Sequence, residues 1–273
     1  MNNAQVRLWL RFSILVISTV IIIIPVYWLF AKAFKTPEEI FAFPPVWIPG
    51  SFYLENFRTM ANTDDLIPVW NSFVITTIST AIAMFLGTLC AYSIARFRTG
   101  GDTFSMWILS QRMLPPVAIV FPLFVAFAFL RWVDTYHGMI IVYTAFNLPF
   151  VIWMMRGYIQ DVPVELEESA LTDGCSRWET LRHITFPMIR TGLFATTVFT
   201  FIFAWNEFGF ALVLTRDSVI TYPVHVSHYF GSLSTYWGKV GVVSILGTLP
   251  VIFAVIFLQK YLVRGMTMGA LKG

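Results

Sequence analysis

The sequence predicts an all-α membrane protein with six transmembrane helices and both termini on the cytoplasmic side. Three observations carry that prediction. The 273 residues are 57% hydrophobic and only 12% charged, with a mean hydropathy of +0.72, whereas roughly a quarter of a soluble domain is charged. The apolar residues gather in six runs, each long enough for a hydrocarbon layer that takes about 20 helical residues to cross. The basic residues, finally, divide unequally between the two sets of loops. A net charge of +3, clustered beside apolar runs, reads as topology information and excludes a nucleic-acid partner.

The first run, Phe12 to Phe30, follows Arg7 and Arg11 and precedes Ala31-Lys32-Ala33, so it imitates a signal peptide with a cleavage site. Its 19 uncharged residues exceed the roughly 7 to 15 of a signal's apolar region, and an uncleaved helix is expected. From Ala31 to Asp65 the chain is rich in proline and aromatics (FAFPPVWIPGSFYLENF) without long periodicity, and is expected to lie along the outer membrane surface. The second crossing falls inside Leu66 to Ala95. The others are Phe104 to Leu130, Gly138 to Met155, Thr191 to Leu214 and Val240 to Gln259. Pro25, Pro115, Pro116, Pro122, Pro149 and Pro250 lie within these runs. Each removes a backbone donor and invites a kink, either as part of a bent pathway or through the ordinary abundance of proline in membrane helices.

An even number of crossings keeps both ends on one side. The set comprising Arg7, Arg11, Arg96, Arg98, Arg156, Arg177, Arg182, Arg190, Lys260, Arg264 and Lys272 holds 11 basic residues, and the opposite set (Lys32, Lys35, Arg58, Arg131, Arg216, Lys239) holds 6. The larger set is cytoplasmic. Arg112, inside the third run, is left uncounted. Three stretches follow: residues 1–65 with the first helix and outer loop, 66–262 with the remaining crossings, and a tail, 263–273. No internal repeat, low-complexity tract or soluble domain is visible, so an energy source must be a separate chain. Cys90 and Cys175 fall on different sides of the hydrocarbon boundary and offer no disulfide framework.

The longest cytoplasmic loop, residues 161–190, is the most polar part of the chain. Between Glu165 and Arg190 it holds five acids, three arginines and His183. Pro163 suits a helix start, Glu165, Glu167 and Glu168 follow where the helix dipole favours negative charge, and Gly174 is placed to end that helix in a left-handed conformation. Ser176 and Glu179 have capping-box spacing for a second helix, which exposes Trp178 and Leu181 and is broken by Pro187 before the fifth crossing. Spacing and charge alone suit a plug for a partner's groove or a solvated helix pair at the lipid headgroups.

Glu168-Ser169-Ala170, three residues, Gly174, nine residues, Ile184, one residue, Phe186-Pro187 resembles the EAA loop of ABC importer permeases, E-A-A-x3-G-x9-I-x-L-P, with Ser169 and Phe186 as departures. Five matched positions coincide by chance on the order of once per million starts at average residue frequencies. AWNEF (Ala204 to Phe208) and VRGMTMGALKG (Val263 to Gly273) resemble the carbohydrate-uptake permeases of the maltose type, MalG-like type I subunits, and the likeness covers nearly the whole chain. The resemblance implies that 66–262 is the type-1 transmembrane domain, and that 161–190 is a coupling element seated in a nucleotide-binding subunit. Glu168 is then the motif's acid and Gly174 its hinge. Ser169, Ala170, Trp178, Leu181, Ile184 and Pro187 complete the expected coupling surface, and the tail reaches toward the same subunits. It further implies a second, MalF-like permease subunit, two ATP-binding subunits, a periplasmic or surface-tethered substrate-binding protein, and a bacterial inner-membrane location. No cofactor is expected on this chain; ATP and Mg belong to the partners.

Asn206 and Glu207 in the fifth run, and Arg112 in the third, are candidate pathway residues. A charge at that depth normally faces a cavity or a partner. Asn206 and Glu207 also suit a polar pair that holds a kink or meets the partner subunit, and Arg112 suits snorkelling or pairing within the bundle better than contact with a sugar. His225 and His228, three apart, lack a third ligand for a metal and suit an outer loop facing a binding protein. An ion-coupled transporter needs several intramembrane acids and usually repeats, but Glu207 is the one acid in any run. An intramembrane enzyme needs a base beside its nucleophile, yet His137, His183, His225 and His228 lie outside the runs. G-x4-G-K-[ST] is absent, so the chain is not its own ATPase.

Overall fold

The computed structural model describes residues 3–61, 63–229 and 237–269, and among these it contains helices and no strand. In chain order the helices are α1 (Asn3–Ala31), α2 (Pro37–Phe41), α3 (Glu55–Ala61), α4 (Ile67–Phe97), α5 (Gly101–Ser110), α6 (Pro116–Leu130), α7 (Tyr136–Gln160), α8 (Val164–Thr172), α9 (Arg177–Thr180), α10 (Phe186–Trp205), α11 (Gly209–Leu214), α12 (Tyr222–Tyr229) and α13 (Trp237–Gly269). Five stretches of helix are long and apolar enough to cross a membrane: Arg7–Phe34, Asp64–Phe97, Tyr136–Gln160, Arg177–Trp205 and Trp237–Phe257. The bent pair Thr103–Met113 and Pro116–Leu130 brings the number of crossings to six when its two halves count as one span.

Contacts divide the chain into two units, one built from the residues up to Leu66 with His225–Leu249, the other from Ile67–Val224 with the residues from Pro250. In the first, α1 exposes apolar side chains along most of its length, Leu8, Phe12, Leu15, Ile22 and Val26 among them, as a lipid-facing helix must. The outer loop is more ordered than its composition predicts. Thr36 and Glu39 form a capping box at α2. The Lys35 ammonium is buried, donates to the Val46 carbonyl and stands 4.0 Å from the centre of the Trp28 ring. Asn56 Nδ2 donates to the carbonyls of Ala33 and Lys35, while Gly241 lies so close to Ala33 that a Cβ there would meet its backbone nitrogen at 2.5 Å. Side-chain and backbone hydrogen bonds therefore replace periodicity as the organising force.

The second unit rests on α4, α7 and α10. One face of α4 is made of Ser72, Thr76, Ser79, Thr80, Ala83, Gly87, Thr88 and Ala91, all buried. Without a hydrophobic force between helices in lipid, such small residues let backbones approach and gain dispersion contacts. At Gly87 a Cβ would lie 2.6 Å from Val151 Cγ1, and at Gly192 it would lie 2.2 Å from the Tyr158 ring, so α4 and α10 both press on α7 through glycine.

Two predicted crossings are not continuous. The third breaks by 88° after Met113. Pro115 and Pro116 supply no backbone donors, and the residue before a proline is driven out of the helical region; Leu114 and Pro115 both have ψ of 127°. The fifth ends at Trp205 and resumes at Gly209 as α11. Pro25, Pro122, Pro149 and Pro250 lie inside helices that continue through them.

Asp134 closes the connection between α6 and α7 over the chain after α11. Its carboxylate accepts the N–H groups of Arg216, Ser218 and Val219 at 2.9 to 3.0 Å and that of Asp217 at 3.3 Å. Burial alone would raise this carboxyl's pKa, but the backbone donors outweigh it and hold the value below the ordinary one. Stability from this clamp is therefore complete above the unfolded value of about 3.9 and is lost as pH falls through the lower folded value. The amides of Arg216, Ser218 and Val219 should exchange slowly at about pH 5 and keep that protection below the unfolded carboxylate value, losing it only as the Asp134 carboxyl becomes protonated, after correction for intrinsic rates. Loss of protection that does not follow Asp134 protonation, or an Asp134→Asn chain with the same pH profile, would rule the clamp out.

Candidate coupling site

The polar segment between the fourth and fifth crossings folds as two short helices on a tight joint. Pro163 caps α8, whose first turn carries Glu165 and Glu167. Helix α8 closes with the Cys175 N–H on the Ala170 carbonyl at 3.0 Å and the Gly174 N–H on the Leu171 carbonyl at 3.1 Å, the paired bonds of a Schellman ending. That ending needs a left-handed residue, and Gly174 has φ +91°. Two residues on, Ser176 starts α9 with a complete capping box: its Oγ accepts the Glu179 N–H, and the Glu179 carboxylate accepts the Ser176 N–H at 2.7 Å.

Pro187 does not break the second helix. The chain passes from α9 through a π-helical turn, Leu181–Thr185, straight into α10. A widened turn removes the clash between a proline ring and the carbonyl four residues back, and it absorbs the missing donor. The projection is thus one body with the fifth crossing. Leu181 also differs from expectation, because it is buried in the cluster of Tyr92, Met155, Ile159, Val162 and Ile189. Trp178 alone of the expected pair is exposed, along with Glu168, Leu166 and Val164. Ser169 and Pro187 are exposed too, Ala170 is buried, and Ile184 lies between these extremes.

The residue that sequence reasoning passed over is Glu167. Its side chain is 2% exposed, and its carboxylate accepts from Arg96 Nε at 2.9 Å, Thr185 Oγ1 at 2.8 Å and Tyr92 Oη at 3.0 Å. Arg96 also donates to the Val162 carbonyl at 2.9 Å. One buried carboxylate therefore ties α8 to the end of α4 and to the π turn. The available signal was periodicity: Glu167 lies three residues before the buried Ala170, on the inner face of the helix, whereas Glu168 faces out.

The candidate pathway residues sit at the two breaks. Both Glu207 carboxylate oxygens are engaged by backbone, with the N–H of Phe210 at 2.8 Å and of Ala211 at 3.2 Å, and the Tyr143 hydroxyl donates to the Glu207 carbonyl. Asn206 is exposed and its amide donates back to the Ile202 carbonyl. Arg112 occupies the turn Gln111–Met113. His225 pairs with Asp65 at 3.1 Å, beside Tyr229 and Lys239, and burial pulls its pKa down despite that carboxylate. Among the described residues no group of His, Cys, Asp and Glu is arranged to hold a metal, and Cys90 and Cys175 are free thiols.

Five or six apolar helical crossings, with a capped helical projection continuous with α10, define an all-helical membrane-embedded chain. The chain belongs to the family of binding-protein-dependent transport system inner membrane components, whose profile matches residues 83–268. It is 32% identical over 94% of both chains to the trehalose/maltose transport system permease protein MalG of Thermococcus litoralis. It is 31% identical to the diacetylchitobiose uptake system permease protein DasC of Streptomyces coelicolor, over 92% of both. A bacterial ABC transporter that imports the acidic polysaccharide alginate superimposes with a TM-score of 0.79 at 19% identity, over 96% of this chain and 98% of the other. The chain is an inner-membrane ABC importer permease subunit, and ion-coupled transport finds no support.

Proposed function

We propose that the chain forms half of the translocation pathway of an ATP-driven carbohydrate importer, and that residues 161–190 carry force to it from an ATP-binding subunit. The sugar-permease relatives support the substrate class. The observation that carries the coupling role is the Glu167 network, which joins the projection to α4 and α10 while leaving Trp178 and Glu168 outside. A segment held that way turns as a rigid body, so closure of two ATP-bound subunits beneath it tilts the helices above. ATP and Mg then reside on those subunits, a second, MalF-like permease supplies the other half of the path, and a binding protein delivers the sugar. Asn206 lies on the path; Glu207 shapes the break beside it.

Single cysteines at Trp178 and Glu168, in a background with Cys175 replaced by Ser, should cross-link to the ATPase subunit in the assembled complex. A cysteine at buried Thr180 should not. Capture only at Thr180, or at none of the three, would remove the coupling role.

A further inference from the structure

Arg112 lies at the 88° break of the third crossing, at a depth where a cation requires a partner. What surrounds it is aromatic. Its Cζ stands 4.7 Å from the ring centre of Phe203, 5.0 Å from that of Phe150 and 5.6 Å from that of Phe146. Among the described residues it makes no ion pair, and its Nη1 is buried with no hydrogen-bond partner. Rings attract the charge of a guanidinium but accept none of its N–H donors in the way an oxygen does. The donors that remain form a planar fork, the shape that matches an oxyanion with two oxygens in one plane.

Phe146 also lines a cavity of about 270 Å³, together with Gln111, Leu123, Phe127 and Phe210. That volume is near the lower bound of about 300 Å³ for small-molecule pockets, enough for one sugar ring. Aromatic walls suit the C–H faces of such a ring and Gln111 offers an amide to its hydroxyls. Neither feature calls for a fixed positive charge next door.

We propose that Arg112 is a specificity residue of the pathway, donating to the oxyanion of an acidic carbohydrate, a carboxylate or sulfonate, as it passes the break. The inference rests on the carbohydrate reading above and narrows its substrate class. The assembled importer in nanodiscs, free of nucleotide, can be titrated with a panel of matched methyl glycosides and methyl uronides. The parent complex should bind uronides about tenfold more tightly than the matched glycosides; Arg112→Gln should erase that preference and Arg112→Lys should keep part of it. Equal binding by the parent, or a preference that survives in Arg112→Gln, overturns the inference. So does loss of the second permease from the Arg112→Gln complex on purification, which would assign the charge to a carboxylate across the subunit interface. ATP-driven uptake of neutral glycosides with no uronide preference leaves the carbohydrate reading standing and removes this one alone, whereas uptake of neither class removes both.

Discussion

A Glu167→Ala chain should insert in the membrane and lose its docked projection. Removing one partner of a buried pair leaves the other charge uncompensated, at a cost of about 3–5 kcal/mol, and Arg96, 6% exposed, would keep only its hydrogen bond to the Val162 carbonyl. The Thr185 and Tyr92 hydroxyls lose their acceptor as well. The thermal midpoint of the detergent-solubilised chain should fall, and protease should cut within residues 161–190. The double change Arg96→Met with Glu167→Met should recover much of the loss, because a buried ion pair is replaceable by apolar groups of similar volume more cheaply than it is broken. Equal destabilisation of the single and double variants would mean that the pair is not what holds the projection. Separation of α8 from α4 should also leave ATP hydrolysis in the assembled complex without its response to loaded binding protein.

Gly174→Val should produce the second large effect, through the backbone alone. Nothing lies within 4 Å of a Cβ at this position, so crowding plays no part, but φ of +91° strains a β-branched residue by roughly 1–3 kcal/mol. The joint would open to relieve that strain, breaking the paired bonds from Cys175 and Gly174 to the end of α8. Membrane insertion and subunit assembly should survive, while uptake per ATP hydrolysed falls. Gly174→Asn should be far milder, since asparagine visits the left-handed region routinely. Normal uptake by the valine variant would mean that the joint's geometry does not matter to transport.

The local design of residues 161–190 is legible in the sequence. The Ser176–Glu179 box and the left-handed Gly174 are encoded by neighbours within a few residues, and both formed as the spacing implies. The six apolar runs were readable for a similar reason, since each crossing must satisfy its own backbone inside the bilayer. Expectations failed where a remote element intervenes. The position of Leu181 on a short helix predicts an outward side chain, yet α7 and α10 supply a core that takes it in. Pro187 predicts a helix break, and a π turn accommodates it instead. Of the three acids Glu165, Glu167 and Glu168, the motif points to Glu168, whereas the buried partner of Arg96 is its neighbour Glu167.

The sequence by itself determined the helical class, the apolar runs that form the crossings, and the capped joint between α8 and α9. These depend on hydropathy, charge count and hydrogen bonds between residues close in the chain. The tertiary structure alone decided which carboxylate is buried, where the fifth crossing breaks, and which aromatic rings gather around Arg112. Glu167 and Arg96 are 71 positions apart, and Phe203 stands far along the chain from Arg112. Their meeting depends on how closely α4, α7 and α10 approach through their glycines and small residues, and no local pattern records that distance.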